Sequence, residues 1–101
     1  MAVRTKQDAA RVLADAAGDR RFYCQDGCIS RSLTQLVACL NHMTEETFGH
    51  HVTPWKNDFS NWVRNVLGDE ELADDLAAVS GPAETAKAIR QRMAWLRKKL
   101  K

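Results

Sequence analysis

The chain has 101 residues, of which 45% are hydrophobic and 28% charged, and its formal net charge is +2. This is the composition of a folded soluble protein, and it excludes the disordered and fibrous classes. A chain of this length has room for one hydrophobic core, which predicts a single domain over residues 1–101. Polar residues follow Met1, and no apolar run approaches the roughly 20 residues that span a bilayer, so the sequence predicts a cytoplasmic protein that has no signal peptide and contacts no membrane.

The small net charge conceals two oppositely charged segments. Residues 44–81 carry eight acidic and two basic side chains, whereas residues 82–101 carry seven basic side chains and one acidic one. Such segments attract each other within one molecule, or in a head-to-tail pair, as readily as either attracts an outside partner.

The first third of the chain predicts a helix followed by a hairpin. Apolar residues at helical spacing indicate a helix over residues 5–17, which a glycine ends. The sequence FYCQDGCIS follows, with Asp26 and Gly27 at its centre. Because Asp-Gly supplies the positive φ angles of a tight turn, residues 22–24 and 28–30 are predicted to form two short antiparallel strands.

Helix-start residues divide the rest of the chain. Each is a side chain that accepts hydrogen bonds from free backbone amides at a helix N-terminus, and they are Ser32, Thr44, Asn57 or Asp58, and Asp69. The last helix runs from about residue 82 to about residue 100, and its apolar residues have the alternating spacing of a helix seam: Ala86, Ile89, Met93, Leu96 and Leu100. The sequence therefore predicts a mostly α fold, a compact bundle of about five to six helices with one short β-hairpin. Its parts are an N-terminal helix in residues 1–20, a core in residues 21–79 and a basic helix in residues 82–101.

Residues 57–62 are predicted to be structural. Asn57 or Asp58 caps a helix whose apolar face includes Phe59 and Trp62, so the polar pair satisfies backbone amides and the aromatic pair enters the core.

A catalytic alternative places Asp58 next to His51 and lets the carboxylate orient the imidazole as a general base. No nucleophile motif accompanies this pair. His50 and His51 project in directions about 100° apart if they lie on a helix, so they do not chelate one ion easily. His51 is predicted to be the buried member, with its ring hydrogen-bonded to the start of the following helix.

The three cysteines are predicted to be reduced thiols, because an intracellular protein of ordinary hydrophobicity needs no disulfide framework. A zinc site is the chemical alternative, and its four ligands would be Cys24, Cys28, Cys39 and His42. The usual spacing of such ligands is Cys-x2-Cys, and Cys39 falls close to the apolar stripe of its helix. The sequence therefore predicts no metal and no cofactor.

The C-terminal helix holds the candidate residues for binding a partner: Arg90, Arg92, Trp95, Arg97, Lys98 and Lys99. The cations could bind a phosphate backbone while the aromatic ring stacks on a base. Alternatively, these side chains could form a solvated helix face. With Ile89 and Leu96 on the helix seam, Trp95 lies on the outer face. A large aromatic residue in such a position favours contact with a protein.

Several of these motifs occur together: Phe22 with Asp26-Gly27, His51-Val52, and Asn57-Asp58-Phe59 with Trp62. In this order they resemble a family of small prokaryotic domains of unknown function with the pattern F-x-x-x-D-G, H-V and N-D-F-x-x-W. The resemblance covers about residues 22–77 and leaves the first helix and the basic C-terminal helix outside. Because this family has no established activity, the resemblance implies no catalytic residue.

The sequence thus predicts a non-catalytic protein-interaction or adaptor module, with self-association through the C-terminal helix as one form of binding. The alternative function is nucleic-acid binding by the basic C-terminal helix, and the second alternative is a zinc-stabilised module.

Overall fold

Most helices begin at the polar residue that the sequence offers as a cap. In a computed structural model that describes residues 3–101, the side chains of Thr5, Ser32, Thr44, Asn57 and Asp69 each accept a hydrogen bond from the amide three residues later. Met1 and Ala2 of the predicted domain lie outside the described residues. The bounds are α1 Lys6–Leu13, β1 Phe22–Tyr23, β2 Ile29–Ser30, α2 Leu33–Asn41, α3 Glu45–His51, β3 Val52–Thr53, β4 Lys56–Asn57, α4 Asp58–Trp62, α5 Glu70–Ala77 and α6 Gly81–Lys99. The prediction of a mostly α fold with about six helices is confirmed within residues 3–101.

The helix α4 does not stop at Trp62 but continues as a π-helical segment, Val63–Leu67. The Val63 carbonyl accepts hydrogen bonds from the amides of Gly68 and Asp69. Gly68 has a φ of 82°, a left-handed conformation that favours glycine, and it ends the segment.

The first helix is shorter than predicted, because α1 ends at Leu13 and not near residue 17. Ala14 has extended backbone angles, and the Ala16 amide donates a 2.6 Å hydrogen bond to the Arg31 carbonyl. A contact with a residue distant in the sequence therefore replaces the last turn of the predicted helix.

Two hairpins are present within the described residues, one more than predicted. In the first, Phe22 pairs with Ser30 and Tyr23 with Ile29, around the turn at Asp26 and Gly27. The second hairpin pairs Val52 with Asn57 and Thr53 with Lys56, and its strands of two residues each are too short to show an alternating pattern in the sequence. It lies between α3 and α4 and carries Trp55 in its turn.

The helix α6 lies against α1, α2, α3 and α5. Its predicted seam residues Ala86, Ile89, Met93 and Leu96 are all buried in the chain's own core. Only Leu100, at the end of the seam, is exposed. Self-association through α6 would therefore have to use its outer face and not this seam. No helix in residues 3–101 is both long enough and apolar enough to cross a membrane.

Candidate functional site

The ring of His51 joins the two hairpins. His51 is the last residue of α3 and is 8% exposed. Its Nε2 accepts a 2.9 Å hydrogen bond from the Gln25 amide in the turn of the first hairpin, and its Nδ1 lies 3.0 Å from Oδ2 of Asp58. Because Nε2 is the acceptor, the proton of the neutral ring belongs on Nδ1, which donates to Asp58. The structure therefore brings together the two residues of the catalytic alternative.

The surroundings of His51 and Asp58 favour a structural role over that of a general base. The nitrogen that would take a proton from a substrate already accepts the Gln25 amide. The ring also packs against Phe22 and Phe59, with centroids 5.2 and 5.5 Å away, and the Asp58 carboxylate accepts a second hydrogen bond, from Lys56. These contacts fix the first hairpin against the second hairpin and the start of α4.

Asn57, and not Asp58, is the cap of α4. Its Oδ1 accepts from the Ser60 amide, while its Nδ2 donates to the Leu76 carbonyl of α5. Ser60, which the sequence did not single out, donates a 2.6 Å hydrogen bond to the Ala73 carbonyl. These bonds fasten α4 to α5. Phe59 is fully buried between Phe22 and Phe48, and the Trp62 indole donates to the Arg20 carbonyl.

We expect His51→Ala to lower the free energy of unfolding by about 2 kcal/mol, since it leaves the Gln25 amide without its acceptor and removes a packed ring. His50→Ala is the matched control, because this neighbouring ring is exposed, and it should change stability by less than about 0.5 kcal/mol. Urea unfolding of both variants measures the difference. Equal stability of the two variants would contradict the bracing role.

The prediction that all three cysteines are reduced thiols is wrong for two of them. Cys28 and Cys39 form a disulfide, with Cα atoms 6.0 Å apart, that ties the first hairpin to α2. Spacing in the sequence did not reveal this pair, because only the packing of the hairpin on α2 brings the two residues together. Cys24 is buried and unpaired, and burial, with a smaller contribution from the Asp26 carboxylate, raises the pKa of its thiol from 9.0 to about 11.

The four candidate zinc ligands are not brought together as ligands. Cys28 and Cys39 are bonded to each other, and His42 is exposed at the end of α2. Among residues 3–101, no group of three or more His, Cys, Asp and Glu side chains is arranged to hold a metal ion.

Arg92 does not belong to the exposed basic surface predicted for α6. It is buried, and its Nε and Nη2 atoms donate to the two carboxylate oxygens of Asp69 at 2.8 and 3.0 Å. A third bond runs from Nη1 to Glu71. Burial acts to lower the pKa of Arg92, but the hydrogen bonds and charges of Asp69 and Glu71 outweigh it and raise that pKa above its ordinary value. The attraction between the acidic and basic segments is thus partly used within the molecule.

A groove of about 460 Å³ lies between α5 and α6. It is lined by Asp75, Ala78, Val79, Ala88, Gln91, Arg92 and Trp95. Trp95 is 42% exposed. The Arg92 guanidinium carbon lies 4.4 Å and the Lys99 ammonium 5.3 Å from the centroid of its ring. Of these residues the sequence indicated only Arg92 and Trp95. Ala88, Gln91, Arg92 and Trp95 have the i, i+3, i+4, i+7 spacing of one helix face, and this spacing was the available signal for the α6 side.

Another exposed aromatic residue lies outside this groove. Trp55, in the turn of the second hairpin, is 91% exposed, and its amide donates to the Thr53 hydroxyl. The sequence did not indicate its exposure, although its position between Pro54 and Lys56 is typical of a turn. Tyr23 and Ile29, cross-strand partners in the first hairpin, are also exposed.

A model of a family of unknown function, DUF5752, matches residues 28–100. No curated protein and no solved structure matches the chain. The match includes all of α6 and begins after Phe22 and the Asp26-Gly27 turn, whereas the resemblance noted in the sequence covers about residues 22–77. The F-x-x-x-D-G, H-V and N-D-F-x-x-W pattern and the prokaryotic origin stay predictions. Because the match spans most of the sequence, the chain belongs to DUF5752, a family of unknown function.

Proposed function

We propose that the chain is a non-catalytic protein-interaction module that binds its partner in the groove between α5 and α6. The observation that carries this proposal is the half-exposed Trp95 in a groove that Ala78, Val79 and Ala88 also line. Tryptophan and arginine are the residues most enriched among those that dominate the affinity of protein interfaces.

The groove is prepared for binding before a partner arrives. The Asp69 carboxylate holds the Arg92 guanidinium, and this guanidinium and Lys99 lie over the Trp95 ring. A ring that is already positioned loses little conformational freedom on binding, so more of its contact energy contributes to affinity. Ala78, Val79 and Ala88 provide apolar surface beside it.

Nucleic-acid binding is the second candidate function. Arg90, Arg97, Lys98 and Lys99 form no ion pair with any residue between 3 and 101, which leaves their charges available to phosphates. However, the Trp95 ring already has two of the protein's own cations over it. A base that stacked on this ring would compete with these cations for the ring, which favours a protein partner.

A photo-cross-linking amino acid at Gln91 tests the proposal in cells. We expect protein adducts that survive nuclease treatment and that weaken when Trp95→Ala is added, since loss of such an anchor reduces affinity by about 30-fold or more. The same cross-linker at the exposed Gln7 on α1 is the control, and it should capture none of the proteins that are captured at Gln91. Adducts that vanish with nuclease would support the nucleic-acid function, and adducts unaffected by Trp95→Ala would contradict the groove.

A further inference from the structure

We infer that the groove's partner is a second copy of the chain, packed about a two-fold axis that runs along the groove, so that α5 of each copy faces α6 of the other. This inference rests on the proposed function, because it uses the same groove. It adds the identity of the partner and the charges that select it.

The α5 side of the groove has a negative rim. Glu71, Asp75 and Ala78 follow one another at i, i+4 and i+7, so they share one face, and Asp75 and Ala78 line the groove. Arg92 pairs with both Asp69 and Glu71, so one positive and two negative charges leave this group of three with a net charge of about −1. Asp75 adds another, because it is exposed and forms no ion pair with any residue of the described part of the chain.

The α6 side has a positive rim. Lys87, Gln91 and Lys98 lie at i, i+4 and i+11, which places both lysines on the face where Gln91 lines the groove. Both are exposed, and neither forms an ion pair within residues 3–101. We define the acidic rim as Glu71 and Asp75 and the basic rim as Lys87 and Lys98.

The order of these rims selects one arrangement of two copies. A two-fold axis along the groove places α5 of one copy opposite α6 of the other. The acidic rim of each copy therefore meets the basic rim of the other, and this contact occurs twice in the dimer. An in-plane axis across the groove would set like charges against each other. Closed two-fold pairing is also the commonest form of self-association, and it needs a surface complementary to itself. One chain here carries both complementary rims on either side of one apolar groove.

The size of this face sets the expected strength. At 1.5 Å per residue, α6 is roughly 28 Å long and α5 roughly 12 Å, so two helices about 10 Å wide present roughly 400 Å² per copy. This is below the roughly 600–1,000 Å² per partner of stable specific interfaces and within the range of weak, transient ones, and charged rims are screened by salt. We therefore expect a concentration-dependent dimer with a dissociation constant on the order of 10–100 µM at low salt, weakening in high salt.

Charge reversal on each rim, followed by mixing, tests the pairing. The acidic-rim variant is Glu71→Lys with Asp75→Lys, and the basic-rim variant is Lys87→Glu with Lys98→Glu. Controls reverse one exposed charge elsewhere, Glu46→Lys or Lys6→Glu. Sedimentation equilibrium gives the association constant, and thermal unfolding establishes that each variant is folded.

We expect each rim variant alone to dimerise at least tenfold more weakly than the unmodified chain, because the rims that face each other across the two-fold axis become like-charged. An equimolar mixture of the two variants should dimerise at least as well as the unmodified chain, and the controls should not differ from it. A mixture that stays monomeric, or a dimer that Trp55→Ala abolishes and rim reversal does not, would overturn the inference.

The failures of the two proposals are distinguishable. If the unmodified chain is monomeric at about 1 mM, far above the expected dissociation constant, and the Gln91 cross-linker still captures another protein in a Trp95-dependent manner, the inference fails and the proposed function stands. If the chain is monomeric and the cross-linker captures no protein, both fail.

Discussion

Replacing Asp69 with alanine should lower the free energy of unfolding by about 4 kcal/mol, the largest effect that we expect from any single polar residue. Asp69 is fully buried, accepts two hydrogen bonds from Arg92 and caps α5 through the Leu72 amide. The substitution leaves a buried guanidinium with only the exposed Glu71 as its partner, and it also removes the cap. Chemical denaturation measures the loss, which is a large fraction of the 5–15 kcal/mol that stabilises most domains.

A double-mutant cycle separates the ion pair from the cap. Asp69→Ser keeps a capping hydroxyl, and Arg92→Met keeps a long side chain without charge, so the double variant should recover most of the stability lost in Asp69→Ala. Glu71→Ala should cost less than about 1 kcal/mol, because its side chain is 70% exposed. Strictly additive losses for Asp69→Ser and Arg92→Met would show that the two side chains do not stabilise each other.

Reducing the Cys28–Cys39 disulfide should lower the free energy of unfolding by about 3 kcal/mol, the value that loop-closure entropy gives for a loop of this size. The two residues are 11 apart in sequence, and the bond joins the first hairpin to α2. Urea unfolding with and without a dithiol reductant measures the effect. Cys28→Ser with Cys39→Ser should be equally destabilised and insensitive to the reductant, whereas Cys24→Ser should respond like the unmodified chain.

Thiol counting checks the disulfide directly. Protein unfolded without reductant should alkylate at one cysteine, and after reduction at all three. The folded protein should alkylate slowly even at Cys24, because this thiol is buried and has its pKa raised to about 11, so little thiolate is present near neutral pH. Three reactive cysteines in unreduced protein would contradict the disulfide.

Since disulfides are rare in the cytoplasm, the number of reactive cysteines in protein taken directly from cells also tests the predicted cytoplasmic location.

The parts of the fold that the sequence predicted are those that depend on near neighbours. Ser32, Thr44 and Asp69 cap helices through amides three residues away. Local propensity and spacing are sufficient for such features.

The features that sequence missed depend on distant pairs. The Ala16 amide bonds to Arg31, Gln25 lies 26 residues from its partner His51, and Arg92 lies 23 residues from Asp69. Opposite charges in the two segments indicated that a pair could form, but not which arginine would be buried. For the same reason the sequence indicates only Arg92 and Trp95 among the groove residues, since the α5 side of the groove becomes apparent only when α5 and α6 are packed together.

The most direct test is to follow the amide chemical shifts of the unmodified chain by NMR while the protein is diluted from about 1 mM to about 20 µM. This experiment shows whether the α5–α6 groove is the contact surface and whether His51 belongs to the scaffold. We predict concentration-dependent shifts at residues 71–79 and 87–99, including the Trp95 indole, and unchanged shifts at Gln25, His51 and Asp58. Shifts centred on His51 and Asp58, with the groove residues unchanged, would contradict both statements.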